Sequence, residues 1–136
     1  MATRFRQLND DWNAEPNAPG PTVDVHEGEV VLEFFANPFQ FPRFSEEQRL
    51  RLHFPNARRY RLGPTNDEGW HRGQCRFSDV APRWGEFYEV SGDLKMDRCP
   101  ADWHAVRDSA QPSRHYLFYL RDLTFECEAD DWSLEV

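Results

Sequence analysis

The pattern that most restricts the fold of this chain lies in its last quarter, where residues 115–129 read HYLFYLRDLTFECEA. The first six residues are apolar at nearly every position, which suits a central strand covered on both faces. The rest alternates, with Leu123, Phe125, Cys127 and Ala129 on one side and Thr124, Glu126 and Glu128 on the other. A period of two sends successive side chains to opposite faces of a sheet, and a helix does not accommodate it. The second strand is therefore expected to have one covered face and one wet face. Other strands must supply the cover.

Shorter versions of the same pattern recur upstream. Val23 and Val25 alternate with polar residues ahead of a tight turn at Glu27 and Gly28, where glycine is free to take a positive φ. Residues 30–36 follow, with Val30, Leu32 and Phe34 facing one way and Val31, Glu33 and Phe35 the other. RLRLHF (49–54) and RRYRL (58–62) read as a hairpin turned at Pro55 and Asn56, its outer face a stripe of arginines. QCRFSDV (74–80), PRWGEFYEVSGD (82–93) and WSLEV (132–136) are the remaining strand candidates, the last an edge. One or two short helices are expected. One covers 5–12, where Phe5, Leu8 and Trp12 fall at helical spacing, and the other starts from an Asp102 cap and ends at Pro112. The segments 13–21 and 37–44 are broken by prolines, which cannot donate inside a sheet.

The predicted fold is mainly β: a single domain over 1–136 with an antiparallel sheet of about seven to nine short strands and one or two short helices. A curved sheet, a barrel and a sandwich all satisfy the pattern. Residues 1–21 form the short helix and a Pro-rich surface segment, and 22–136 form the β-rich core.

Composition narrows the function classes. The 136 residues fit one domain, and eleven Phe and five Trp exceed what a disordered chain carries. No apolar run approaches a membrane span and MATRFRQLND has no hydrophobic signal core, so a soluble cytoplasmic protein with no membrane partner is expected. Sixteen basic residues against 24 acidic ones leave a net charge of −8, the opposite of a nucleic-acid footprint, and no nucleic-acid partner is expected. The charge is uneven. Residues 43–61 hold six arginines and two glutamates, whereas residues 122–136 hold six acids and no base. The odd set Cys75, Cys99 and Cys127 has no CxxC pair and argues against a disulfide framework.

No motif for chemistry stands out. The histidines at 26, 53, 71, 104 and 115 sit in five separate segments without HExxH or HxH spacing, so no metal ligand is assigned. The glycines form neither GxGxxG nor a P-loop, and no cofactor is expected. The arginine stripe has acids such as Glu126 and Glu128 to pair with across strands. The loop GPTNDEGWHRGQC (63–75) is the place to look for a site, because it is long, charged and aromatic. Its candidate binding residues are Asn66, Asp67, Glu68, Trp70 and His71, with Trp84 and Glu86 as neighbours; no catalytic residue is assigned. The simpler reading of that loop is a structured connection built on Gly63, Pro64 and Gly69.

In composition alone the chain is similar to small bacterial immunity and adaptor proteins, a likeness that rests on no motif. The function expected is a non-catalytic protein-binding module for a basic protein partner. Trp12, Trp70 and the aromatics of 39–44 serve as its anchors, and the acidic C-terminal strand as its steering surface. Two alternatives stand beside it. One is a β-barrel binding a small-molecule ligand among inward Phe and Tyr residues, and the other is a carboxylate-based enzyme using Asp67, Glu68, His71 and Glu86.

Overall fold

The computed structural model describes residues 3–64, 71–72, 77, 82–92, 102–107 and 114–136. Within them the strands are β1 (Arg4–Gln7), β2 (Thr22–His26), β3 (Glu29–Phe35), β4 (Arg49–Phe54), β5 (Arg59–Pro64), β6 (Phe87–Ser91), β7 (His104–Ala105), β8 (Arg114–Tyr119), β9 (Leu123–Ala129) and β10 (Ser133–Glu135). They form two antiparallel sheets, ordered β1-β6-β8-β9-β5-β7 and β10-β4-β3-β2. Neither sheet closes on itself. The two stack as a sandwich, and the barrel alternative does not describe this chain.

Alternation built the core. In the four-stranded sheet Val30, Leu32, Phe34, Leu50, Leu52 and Phe54 are fully buried. Opposite them lie Phe87, Tyr116, Phe118, Phe125, Cys127 and Ala129 of the larger sheet. The two layers meet ring to ring: Phe34 and Phe118 at 5.4 Å and nearly perpendicular, and Phe54 against both Tyr116 and Phe125 at 5.4 Å. Such offset and edge contacts suit the aromatic quadrupole. β8 is central, as its continuous apolar run suggested, with Phe118 registered against Phe87 on one side and Phe125 on the other. The β2–β3 turn also matches its reading, since Glu27 (φ 50°) and Gly28 (φ 82°) are both left-handed, as a two-residue hairpin requires.

The expected helices are absent from the described residues. β1 replaces the first, because Phe5 points to Phe77 and Tyr88 on the outer side of the large sheet while Trp12 enters the core between the sheets. A helix cannot serve two layers in this way, and pairing with β6 satisfies the backbone instead. Residues 1–21 are thus no separate helical prelude: Leu8 N–H donates to Phe87 O, and Ala14 bridges to Ala36 of the other sheet. At 102–107 the backbone is extended and carries β7. Asp102 spends its carboxylate on Arg61 instead of capping a helix.

The hairpin expected over 49–62 is a second correction. β4 pairs with β3 and β10, while β5 pairs with β9 and β7, so the Pro55–Asn56 turn is a corner between sheets. Ala57 N–H bonds to Gly28 O and Arg58 N–H to Glu128 O, drawing the chain from one layer to the other. The arginine stripe is split accordingly. Arg49 and Arg51 pair with Glu33, whereas Arg59 and Arg61 pair with Glu128 and Glu126, the acids named from sequence.

The third correction concerns β9. Its polar side is not wet: Thr124 is 4% exposed and Glu126 fully buried. A second apolar layer of Phe77, Tyr88, Val90, Leu117 and Tyr119 lies on the same outer side of the large sheet. The acidic C-terminal stretch is therefore no single steering surface, since Glu126 is internal and Glu135 is bonded to Arg51 and His53. WSLEV does supply the edge strand β10.

Candidate functional site

The site is assembled where the Pro-rich segment 13–21 crosses the end of β3. Prolines keep this segment extended, and it borrows the strand's own backbone groups. Glu15 N–H donates to Phe35 O at 2.8 Å, Phe35 N–H to Pro19 O at 2.8 Å and Asn37 N–H to Asn13 O at 3.0 Å. Short polar side chains then lock the turns. The Glu15 carboxylate accepts from Asn17 N–H and Ala18 N–H, and Asn37 Oδ1 accepts from Phe39 N–H and Gln40 N–H. Asn13 Nδ2 ties the segment to Gly85 O at 2.8 Å.

Two depressions flank this locked segment. The first is an open groove of about 370 Å³ floored by Ala18, Phe35, Ala36 and Pro38, with Phe39 on its wall and Glu15, Glu46 and Glu47 around it. Phe39 is 69% exposed, beside Phe41 half-buried and Phe44 buried in the core. Of the aromatics in 39–44, Phe39 alone is fully presented. Phe35 is held from one side by the Arg49 guanidinium, 4.4 Å from its ring centroid, and from another by close contact with Gly20.

The second depression, about 220 Å³, is lined by Trp84, Glu86, Tyr119, Asn13, Gln40 and Arg121, with Glu15 shared between the two. Trp84 stacks on Tyr119 with ring centroids 4.9 Å apart. Glu86 accepts from Asn9 Nδ2 at 2.6 Å and from Gln7 Nε2 at 3.1 Å. Asn9 is itself buried and bonded to the backbone of Phe87 and Trp12, so the Glu86 carboxylate has a fixed position.

Of the residues singled out in the sequence, Asn66, Asp67, Glu68 and Trp70 lie outside the described residues, as does Cys75. His71 is exposed. Trp84 and Glu86 do come together, with Glu15 and Gln40, while most of the loop expected beside them lies outside the described residues. Trp12 is no anchor: at 3% exposed it packs against Phe34, Phe87, Phe118 and Trp132. The groove at Phe39 was visible in sequence as an aromatic Pro-rich loop. Glu15, Glu46 and Glu47 were not, because nothing in the primary structure brings 15 next to 46.

A second assembly was expected from the sequence only as pairing of the arginine stripe with Glu126 and Glu128, without His115 or Asp102. On the outer side of the large sheet, buried Glu126 accepts from Arg61 Nη1 at 2.8 Å and is hydrogen-bonded to His115 Nε2 at 2.7 Å. Arg61 reaches on to Asp102 at 2.7 Å, and that hydrogen bond holds the Asp102 carboxyl below its usual range. Arg59 is bidentate to Glu128 at 2.9 Å and lies 4.1 Å over the Trp103 ring. The signal was Gly63. A Cβ there would strike Arg61 Nη2 and sit 2.8 Å from Asp102 Oδ2, so glycine inside a strand marks this crossing. The network straps 102–107 to the sheet. Among the described residues no group of three or more His, Cys, Asp or Glu side chains is placed to hold a metal ion. Cys127 is buried and its thiol is pushed up by desolvation, which removes its nucleophilic character.

No family model matches the chain, and neither does any curated protein or solved structure. Among the described residues no helix is long and apolar enough to cross a membrane.

Proposed function

We propose that this chain is a non-catalytic protein-binding module whose groove at Phe39 receives a segment of a basic protein partner. The observation that carries the reading is Phe39 itself, a large aromatic held 69% exposed by the Asn37 turn on the wall of an acid-rimmed groove. Exposed aromatic anchors in water-excluding surroundings dominate interface energies. The acids Glu15, Glu46 and Glu47, on a chain of net charge −8, favour a partner that places lysine or arginine around an apolar residue. Glu86 and Trp84 extend the same chemistry into the second depression, where a cation meets a carboxylate and an indole face.

The test is affinity capture from the host lysate with the wild-type chain and Phe39→Ser at low and moderate salt. The expected result is one basic protein retained by the wild type, weakened by salt and lost with Phe39→Ser. An identical set of proteins on both baits overturns the reading. A small polar ligand in the Trp84 pocket is the second reading, favoured by its mixture of amides, Glu86 and Arg121 beside the Trp84 and Tyr119 rings.

A further inference from the structure

Hydrogen-bond parity along β3 shows which backbone groups of β2 have no partner among the described residues. Phe35 N–H turns toward the N-terminal segment, to Pro19 O, whereas Ala36 N–H turns toward β4, to Gln48 O. Odd-numbered residues of β3 therefore bond on the β2 side. Their registered partners Thr22, Asp24 and His26 spend their backbone groups on β3. Val23 and Val25 point theirs the other way, to the sheet edge, where the strand order ends. Val25 is 47% exposed, and Thr22, Asp24 and His26 are exposed as well.

Edges of this kind are usually blunted by proline, a charged side chain, a bulge or shortness. In the five residues of TVDVH the charge is a single carboxylate, Asp24. An antiparallel strand that spans both valines places one of its own residues opposite Asp24, and for a second copy of the chain the register that pairs Val23 with Val25 is centred on Asp24. A second copy of the chain in that register sets Asp24 against Asp24, and like charges directly opposite are unfavourable. A strand with a cation between two apolar residues has the opposite effect. It fills the free N–H and C=O groups, covers Val25 and neutralises Asp24. On the same face, Glu29 and Glu33 across the hairpin are already paired with His53 and with Arg49 and Arg51, so among the described residues Asp24 is the acid left to meet an incoming cation.

We infer that β2 is the receiving edge for an extended segment of the basic partner, which adds as a further strand with lysine or arginine opposite Asp24. The inference rests on the reading that the partner is basic. Its probe is a nine-residue synthetic peptide of alternating valine and lysine, titrated into the ¹⁵N-labelled chain, with a valine–glutamate peptide as control.

Amide shifts at Val23 and Val25, with slowed hydrogen exchange there, are expected for the lysine peptide. Affinity should fall at least about tenfold with the glutamate peptide and with Asp24→Lys, and hold with Phe39→Ser. In parallel, Asp24→Thr removes the like-charge barrier and should raise the dimer fraction in sedimentation velocity above that of the wild type. Shifts confined to 35–39 and 46–47 overturn the β2 inference while leaving the groove reading standing. Shifts nowhere, or an Asp24→Thr variant that sediments like the wild type, also overturn it, and the lysate capture then judges the groove alone.

Discussion

At the scale of single residues, the strongest commitments are the buried charges of the large sheet. Glu126 is fully buried and Arg61 9% exposed, so each depends on the other for the solvation it has lost. Arg61→Met is expected to cost about 3 kcal/mol in urea denaturation, at the low end for breaking a buried pair because His115 stays hydrogen-bonded to Glu126. The double variant Arg61→Met, Glu126→Gln should recover part of that loss, because no stranded carboxylate remains. A single variant as stable as the wild type would contradict the buried network. The pairing of the arginine stripe with Glu126 and Glu128 was legible in the chain, but the burial of Glu126 was not. Glu126 and Glu128 occupy the outer side of an alternating strand, the position that normally faces water, and periodicity reports sides without reporting what covers them. Gly63 was legible as a turn residue, but its role as clearance for Arg61 and Asp102 needed both side chains in place.

At the scale of elements, β10 shows how a three-residue edge strand is held by charge. His53 on β4 is hydrogen-bonded to Glu29 at 2.9 Å and to Glu135 at 2.6 Å, and Arg51 adds a contact to Glu135 at 3.3 Å. These hydrogen bonds raise the His53 pKa, Glu29's being the larger influence, and His53 in turn lowers that of Glu135. A raised histidine stabilises the fold fully below its unfolded value near 6.5 and loses that contribution as pH climbs through the folded value. A depressed carboxylate contributes above its unfolded value near 4.5 and loses its contribution as pH falls through the folded one. The β10 anchor is therefore tightest between about pH 4.5 and 6.5. His53→Gln should lower stability most in that window, with the difference shrinking at higher pH and in high salt. A difference that grows toward alkaline pH would contradict the assignment. Element identity was more legible than element pairing. Strands β2, β3, β4, β5, β6, β8, β9 and β10 follow from alternation and turns, but the corner at Pro55 and Asn56 looks in sequence like any hairpin turn. The expected helix over 5–12 failed for a related reason: a spacing of three and four also fits a chain that passes from an outer layer to an inner one.

At the scale of the whole molecule, two sheets enclose an aromatic core and, among the described residues, leave one large aromatic presented beside the acid-rimmed groove. The contrast between Trp12 and Phe39 tests that division. Trp12→Ala removes a buried indole and should cost about 3–5 kcal/mol. Phe39→Ser should stay within about 0.5 kcal/mol of the wild type in the same melts, since its ring is exposed. The mainly β architecture was legible because a sandwich core needs alternating strands. The groove was only half legible: the aromatic loop shows in sequence, but its acidic rim is drawn from residues 15, 46 and 47, which meet through tertiary packing.

Hydrogen-exchange mass spectrometry of the chain with and without its captured basic partner tests the central claim most directly. The expected result is protection concentrated in residues 13–18 and 35–47, extending to 84–86 and, where the partner adds a strand to β2, to Val23 and Val25. Protection that leaves those segments unchanged and falls on the arginine-bearing edge at 58–59 and 105–107 would contradict it.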